Sequence, residues 1–134
     1  MTETTLIEYM KDYLDEIIEK VRDRIAKYVD SQERFALGFS GGKDSTALLL
    51  ICNKYFRNKM VAIYDHVAGN AHPPNVEFVN YVARKLGLRK VVIRIARTKM
   101  LDKPKLPDPP VLAHIISLGG GGKGFWYDIK KYGF

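Results

Sequence analysis

Apolar residues recur at steps of three and four along the first thirty positions. The set is Leu6, Met10, Leu14, Ile17, Val21, Ile25 and Tyr28. Thr5 and Glu8 have the spacing of an N-terminal capping box. The pattern predicts one long amphipathic helix over residues 5–29. We expect this helix to pack on its own sheet, with a coiled-coil dimer as the alternative, because the repeat lasts only about three heptads.

Three strand-like apolar runs follow, over residues 34–39, 60–65 and 90–96, with helical segments at 44–57 and 75–87 between them. This βαβαβ alternation predicts a Rossmann-like parallel sheet with helices on both faces. Right-handed crossovers place the loops after each strand along one carboxyl edge. We therefore expect loop 40–45, Asp65 and Arg97 to share that edge.

The remainder, residues 98–134, is less regular. Prolines between 103 and 110 exclude a helix or a central strand there, and Gly119 to Gly122 form a flexible run. Residues 111–118 and 124–132 are predicted to be short helices. The chain is thus expected to be a single domain over 1–134, with a long helix (1–30), a core (34–97) and a tail (98–134).

Composition adds few constraints. A chain of 134 residues with 46% hydrophobic content supports one folded domain, and a net charge of +7 fits a polyanionic partner such as a nucleotide or RNA. No apolar run is long enough for a membrane span, so we expect a cytoplasmic protein that does not bind membranes. The lone Cys52 lies in an apolar helix, so we expect it in the core and expect no iron–sulfur cluster.

The segment Ser40-Gly41-Gly42-Lys43-Asp44-Ser45 joins the first strand to the first helix after it. Adjacent glycines allow a ligand close to the main chain, and a helix start presents unpaired N–H groups with a positive dipole end. Such a turn predicts a phosphate or pyrophosphate site. A Walker P-loop is excluded because Leu37 stands where its first glycine is needed and Asp44 replaces its hydroxyl residue.

These six residues resemble the PP-loop of the ATP-pyrophosphatase superfamily of adenine-nucleotide α-hydrolases. Lys43 at the variable position, Asp65 at the end of the next strand, and a helix start carrying Pro73, Glu77, Phe78 and Val79 most resemble the phosphoadenosine phosphosulfate (PAPS) reductase family. The resemblance implies binding of the phosphate or phosphosulfate of ATP, adenylyl sulfate (APS) or PAPS. Magnesium is an accompanying expectation.

The resemblance also implies roles for individual residues. The anion cradle would consist of Ser40, Gly41, Gly42 and Ser45. Lys43 would pair with phosphate oxygens, and Asp44 would either face magnesium or cap the helix. Asp65 would lie beside the adenine, with a turn aspartate as the alternative, and Arg97 could contact a second anion. The spacing of Asp65 and the nearby histidines matches no standard metal site.

The sequence also departs from the reductase pattern. His66-Val67 stands where the family usually has Thr-Gly, and Pro74-Asn75 where it often has Glu-Thr. The family's Glu-Cys-Gly-Leu-His segment, which carries the catalytic cysteine, is missing. We therefore expect a domain that is C-terminally truncated relative to its family and lacks complete reductase turnover.

Three functions remain open from the sequence. The first is a nucleotide domain of the PAPS reductase type, with thioredoxin as thiol donor in a full enzyme. The second is an ATP-dependent adenylating ligase or RNA thiolation domain, with lysines 103, 105, 123, 130 and 131 guiding the RNA. The third is a non-catalytic nucleotide-binding module. A homodimer is a further expectation.

Overall fold

The computed structural model describes residues 2–96, 99–102 and 104–118. The chain divides into two compact units, Met1–Glu33 and Arg34–Phe134, and each is described by itself. Predictions for Arg97, Lys103, the glycine run 119–122 and the segment 124–132 lie outside the described residues.

The first unit is one helix, α1 (Glu3–Val29). It begins two residues before the predicted start because Thr2, with an extended backbone, is the N-cap, and its side chain accepts a hydrogen bond from the Thr5 backbone N–H at 3.1 Å. This is the usual way to satisfy one of the unpaired donors of a first turn. The predicted long N-terminal helix is confirmed.

The second unit is an α/β fold. Its strands are β1 (Phe35–Gly38), β2 (Met60–Val67), β3 (Arg89–Ala96), β4 (Lys99–Met100) and β5 (Val111–Ser117). Its helices are α2 (Lys43–Tyr55), a 3-10 turn (Arg57–Lys59) and α3 (Pro73–Lys85). The three predicted strands and two predicted helices are confirmed, with ends displaced by a few residues.

The five strands form one sheet in the order β1-β2-β5-β3-β4. All neighbours are parallel except β3 and β4, which are antiparallel. The helical prediction for residues 111–118 is wrong: these residues form β5, which lies between β2 and β3 at the centre of the sheet. The mostly parallel, Rossmann-like α/β class predicted from the sequence is confirmed.

The inserted β5 completes the core of this unit. On one face of the sheet, Val61 and Ile63 of β2, Ile93 and Ile95 of β3, and alternate residues of β5 form one buried apolar cluster. Tyr64, His66 and His114 lie on the opposite face, because successive side chains of a strand point to opposite sides. Tyr64 and the two histidines are therefore not mixed into the apolar cluster.

In the described part of the chain, no helix has the length and apolar character needed to cross a membrane.

Candidate functional site

The loop between β1 and α2 is held by its own serines. Ser45 Oγ accepts a hydrogen bond from the Ser40 backbone N–H at 3.2 Å and lies 3.0 Å from Ser40 Oγ. Ser45 Oγ also donates to the Gly42 carbonyl at 3.2 Å, and Ser40 Oγ accepts from the Gly42 N–H at 3.3 Å. The two hydroxyls thus fix the loop from its two ends, before any ligand is considered.

Glycine is required at position 41 both by the backbone conformation and by the lack of space for a side chain. Its φ of +85° lies in the left-handed region, where residues with a Cβ are strained. A Cβ added there would also lie 2.4 Å from the Asn75 Oδ1 and 3.1 Å from a Val79 methyl group. The start of α3 therefore presses directly against the loop.

Asn75 connects that helix start to the loop. Its Nδ2 donates to the Ser40 carbonyl at 3.0 Å and to the Tyr64 hydroxyl at 3.3 Å. In the sequence, Asn75 is notable only as a departure from the reductase pattern. Asn75 and Ser40 are 35 residues apart in the sequence. Their contact is therefore visible only once α3 is packed against the loop.

Gly42 differs from Gly41 because its backbone is extended (φ −77°, ψ 168°), which any residue can adopt. Its absent Cβ would meet only Ser40 Oγ, at an ordinary contact distance of 3.4 Å. Gly42 is the N-cap of α2, and no side chain forms a cap hydrogen bond there among the described residues. The first turn of α2 therefore offers its N–H groups to an anion on an accessible side.

An open cleft of about 330 Å³ adjoins the loop. It is lined by residues from the ends of β1 and β2 and by the two loop serines: Gly38, Phe39, Ser40, Ser45, Ile63 and Asp65. The prediction that loop 40–45 and Asp65 share the carboxyl edge of the sheet therefore agrees with the structure. Asp65 Oδ1 accepts a hydrogen bond from the Ser117 hydroxyl at 3.3 Å, which orients the carboxylate from β5.

Lys43 and Asp44 are both exposed in the first turn of α2. The negative charge of Asp44 interacts favourably with the positive dipole end at the N-terminus of α2. Among the described residues there is no cluster of three or more His, Cys, Asp or Glu side chains suited to a metal ion. A magnesium contact of Asp44 stays a prediction, and so do the individual ligand roles of the loop residues and Asp65.

A pair of histidines lies on the sheet face that carries Tyr64. His66 Nδ1 and His114 Nε2 are 2.9 Å apart, and the two rings stack with centroids 5.1 Å apart. His114 is only 4% exposed. Burial, and then the nearby Lys90 and His66, lower the pKa of His114 from 6.5 to about 4. His114 is therefore neutral near pH 7.

Cys52 lies in the core, as predicted from the sequence. It is buried within α2, and burial raises the pKa of its thiol from 9.0 to about 11. A thiolate is the reactive form of cysteine, so this residue is poorly suited to act as a nucleophile.

The comparison with known families agrees with the loop geometry. A family model described as PP-loop domain matches residues 11–106, which is most of the chain. No curated protein and no solved structure gives a significant match. The chain belongs to the PP-loop domain family, whose domains bind nucleotides of the ATP type. It is therefore an adenine-nucleotide-binding domain.

Proposed function

We propose that the chain binds ATP with its pyrophosphate on loop 40–45 and its adenosine in the adjoining cleft, and that this placement serves adenylation of an acceptor. In such a reaction, a nucleophile of the acceptor attacks the α-phosphorus and pyrophosphate leaves. The acceptor becomes linked to AMP through the new bond. The proposal goes beyond the family match, which concerns nucleotide binding only.

The observation that carries the proposal is the start of α2 beside the cleft. Lys43, Asp44 and Ser45 begin the helix, and their backbone N–H groups lie in the first turn, where the helix itself supplies no acceptor. The extended Gly42 leaves the approach to them free of a side chain. Donors that are fixed by the scaffold can hold a polyphosphate without reorganising, which is what a leaving pyrophosphate needs.

The neighbouring charges suit this assignment. Lys43 follows Gly42 directly, and its long side chain can add a positive charge to the backbone donors. Asp65 lines the same cleft. A carboxylate there can accept hydrogen bonds from ribose hydroxyls but repels additional phosphate, so it favours ATP over a nucleotide with a 3′-phosphate.

A PAPS reductase type of function is the second candidate. It is supported by the resemblance of Ser40–Ser45, Asp65 and the start of α3 to that family. The buried Cys52, with its raised thiol pKa, does not supply the nucleophile that sulfonate transfer needs. In this case the chain would grip the phosphosulfate and another thiol would complete the reaction.

Calorimetric titration of the chain with magnesium-ATP, APS, PAPS and pyrophosphate tests both candidates. Adenylation predicts that ATP binds more tightly than PAPS and that pyrophosphate competes with ATP. Tighter binding of PAPS would favour the reductase type. Absence of binding by all four ligands would contradict both.

Gly42→Asp is the variant that locates the site. Aspartate is a favoured N-cap residue, so its carboxylate can accept from the first-turn N–H groups and leave the fold as stable as before. The same carboxylate occupies and repels the phosphate position. We expect roughly a hundredfold weaker ATP binding, since about 3 kcal/mol of charged hydrogen bonding is lost.

Asn70→Asp is the matched control because it adds the same charge at an exposed turn position. It should bind ATP like the unaltered chain. Equal affinity of Gly42→Asp and the control would show that the nucleotide does not bind at this helix start.

A further inference from the structure

Helix α1 carries a continuous apolar stripe that is exposed along much of its length. Leu6, Met10 and Leu14 are 47%, 60% and 54% exposed, and Ile17 is 40% exposed. Large apolar side chains occur singly on many surfaces, but a stripe at three- and four-residue steps on one helix is typical of a contact surface. The helix is about 40 Å long, given its 27 residues and a rise of 1.5 Å per residue.

The charges of α1 are divided between its two halves. Residues 3–19 contain six acidic side chains and one basic side chain, whereas residues 20–29 contain four basic and one acidic. The acidic set is Glu3, Glu8, Asp12, Asp15, Glu16 and Glu19. The basic set is Lys20, Arg22, Arg24 and Lys27. One end of the helix is therefore strongly negative and the other positive.

The apolar positions are nearly symmetric about the middle of the helix. Reversing α1 about the point midway between residues 15 and 16 places Leu6 opposite Ile25, Met10 opposite Val21 and Leu14 opposite Ile17. A second α1 can thus lie along the first in the opposite direction and match apolar residues with apolar residues. The same reversal places residues 3–15, with four acidic and one basic side chain, beside residues 16–28 of the other helix, with three acidic and four basic side chains, so a net negative half lies beside a net positive half.

From these two patterns we infer that the stripe of α1 binds a second copy of this chain as an antiparallel helix pair. A parallel pair would bring two acidic halves together along more than half of the contact, which is unfavourable. The antiparallel pair is isologous, so it closes as a dimer. The inference concerns α1 alone and is independent of the nucleotide site.

The first experiment is sedimentation of the full chain over a concentration series. We expect a monomer–dimer equilibrium. Leu14→Asp places a charge in the centre of the apolar contact and should raise the dissociation constant by roughly thirtyfold or more, as expected for an unpaired buried charge. Thr5→Asp is the matched control, because it adds the same charge away from the stripe at the N-terminal turn, and it should dimerise normally.

A charge-reversal pair tests the orientation. Glu8→Lys with Asp12→Lys makes the acidic half basic, and Lys20→Glu with Lys27→Glu makes the basic half acidic. In an antiparallel pair each double variant meets like charge and stays monomeric at concentrations where the unaltered chain dimerises, while an equimolar mixture associates. Circular dichroism and ATP titration verify that each variant keeps its helix and its site.

A monomer at every concentration, or dimerisation that Leu14→Asp leaves unchanged, would overturn the inference. Self-association of the Glu8→Lys, Asp12→Lys variant as strong as that of the unaltered chain would overturn the antiparallel arrangement. Association should also weaken as salt is raised from 0.1 to 1 M, since the screening length falls from about 10 Å to about 3 Å.

Discussion

At the residue scale, the two glycines of the loop have different functions. At position 41, the positive φ and the nearby Asn75 side chain require glycine. Neither constraint applies at position 42, where the missing side chain leaves the start of α2 accessible. A sequence comparison would treat both as equivalent members of one motif. The structure assigns the shape of the loop to Gly41 and its accessibility to Gly42.

Asn75 is expected to position the loop without contacting the nucleotide. Asn75→Ala removes both donated hydrogen bonds, to the Ser40 carbonyl and the Tyr64 hydroxyl. We expect ATP binding to weaken about fivefold to tenfold, as for the loss of roughly 1 kcal/mol of loop ordering. Asn75→Asp should be worse, because its carboxylate would face the Ser40 carbonyl. Calorimetry would measure both effects.

Asn70→Ala is the control, since it truncates an exposed asparagine. If Asn75→Ala and Asn75→Asp bound ATP as tightly as this control, Asn75 would have no positioning function.

At the element scale, the end of α3 is tied to the segment after α2. Gly87, with φ +65°, allows the Leu88 N–H to bond to the Ala83 carbonyl and the Gly87 N–H to bond to the Arg84 carbonyl. This is a Schellman ending. Two further carbonyls, of Leu86 and Gly87, accept hydrogen bonds from the Arg57 guanidinium, which also bonds to Asn53.

Arg57→Ala should therefore destabilise the α/β unit. It removes charged hydrogen bonds at a helix C-terminus, where the negative dipole end favours a cation, and we expect a loss of about 2 kcal/mol in the free energy of unfolding. Arg57→Lys keeps the charge but not the forked geometry, so it should recover only part of that loss. Urea unfolding measures the difference.

Arg84→Ala is the control that separates the effect of removing a positive charge from the effect of removing hydrogen bonds. Arg84 lies exposed in the last turn of the same helix, so its removal changes the dipole interaction and leaves the Arg57 bonds in place. A loss as large as that of Arg57→Ala would contradict the assignment.

Local sequence predicted the elements that have local causes, and missed those that depend on packing. The strand, glycine turn and helix at Ser40–Ser45 are adjacent in the chain, so their chemistry could be recognised. Residues 111–117 form a short apolar run, which periodicity alone cannot distinguish from a buried helix. Their place between β2 and β3 is set by partners far away in sequence, and the same is true of Asn75.

At the scale of the whole α/β unit, the central position of β5 makes its one polar core residue important. His114 lies in the middle strand, pairs in register with Tyr64 of β2 and Val92 of β3, and packs its ring against Tyr64. Its only near hydrogen-bond partner among the described residues is His66. Protonation of His114 would place a charge at the centre of the sheet, close to Lys90.

We therefore expect the unfolding free energy to decrease as the pH falls from about 6.5 to about 4. In the unfolded chain His114 binds a proton below pH 6.5, whereas in the folded chain its pKa is lowered to about 4. The stabilisation from the neutral, buried form is complete above pH 6.5 and is lost as the pH falls through the folded value, with a total on the order of 3 kcal/mol. Urea unfolding across this range measures it.

His72→Ala is the control, because His72 is exposed at the start of α3 and its loss should leave the slope unchanged. The titration of Asp102 does not interfere with this measurement. Its hydrogen bonds from Arg94 lower its pKa from 3.8 to about 2, so its contribution is lost only at lower pH. A stability that stays level between pH 6.5 and 4 would contradict the lowered pKa of His114, because the folded and unfolded chains would then bind the proton equally well.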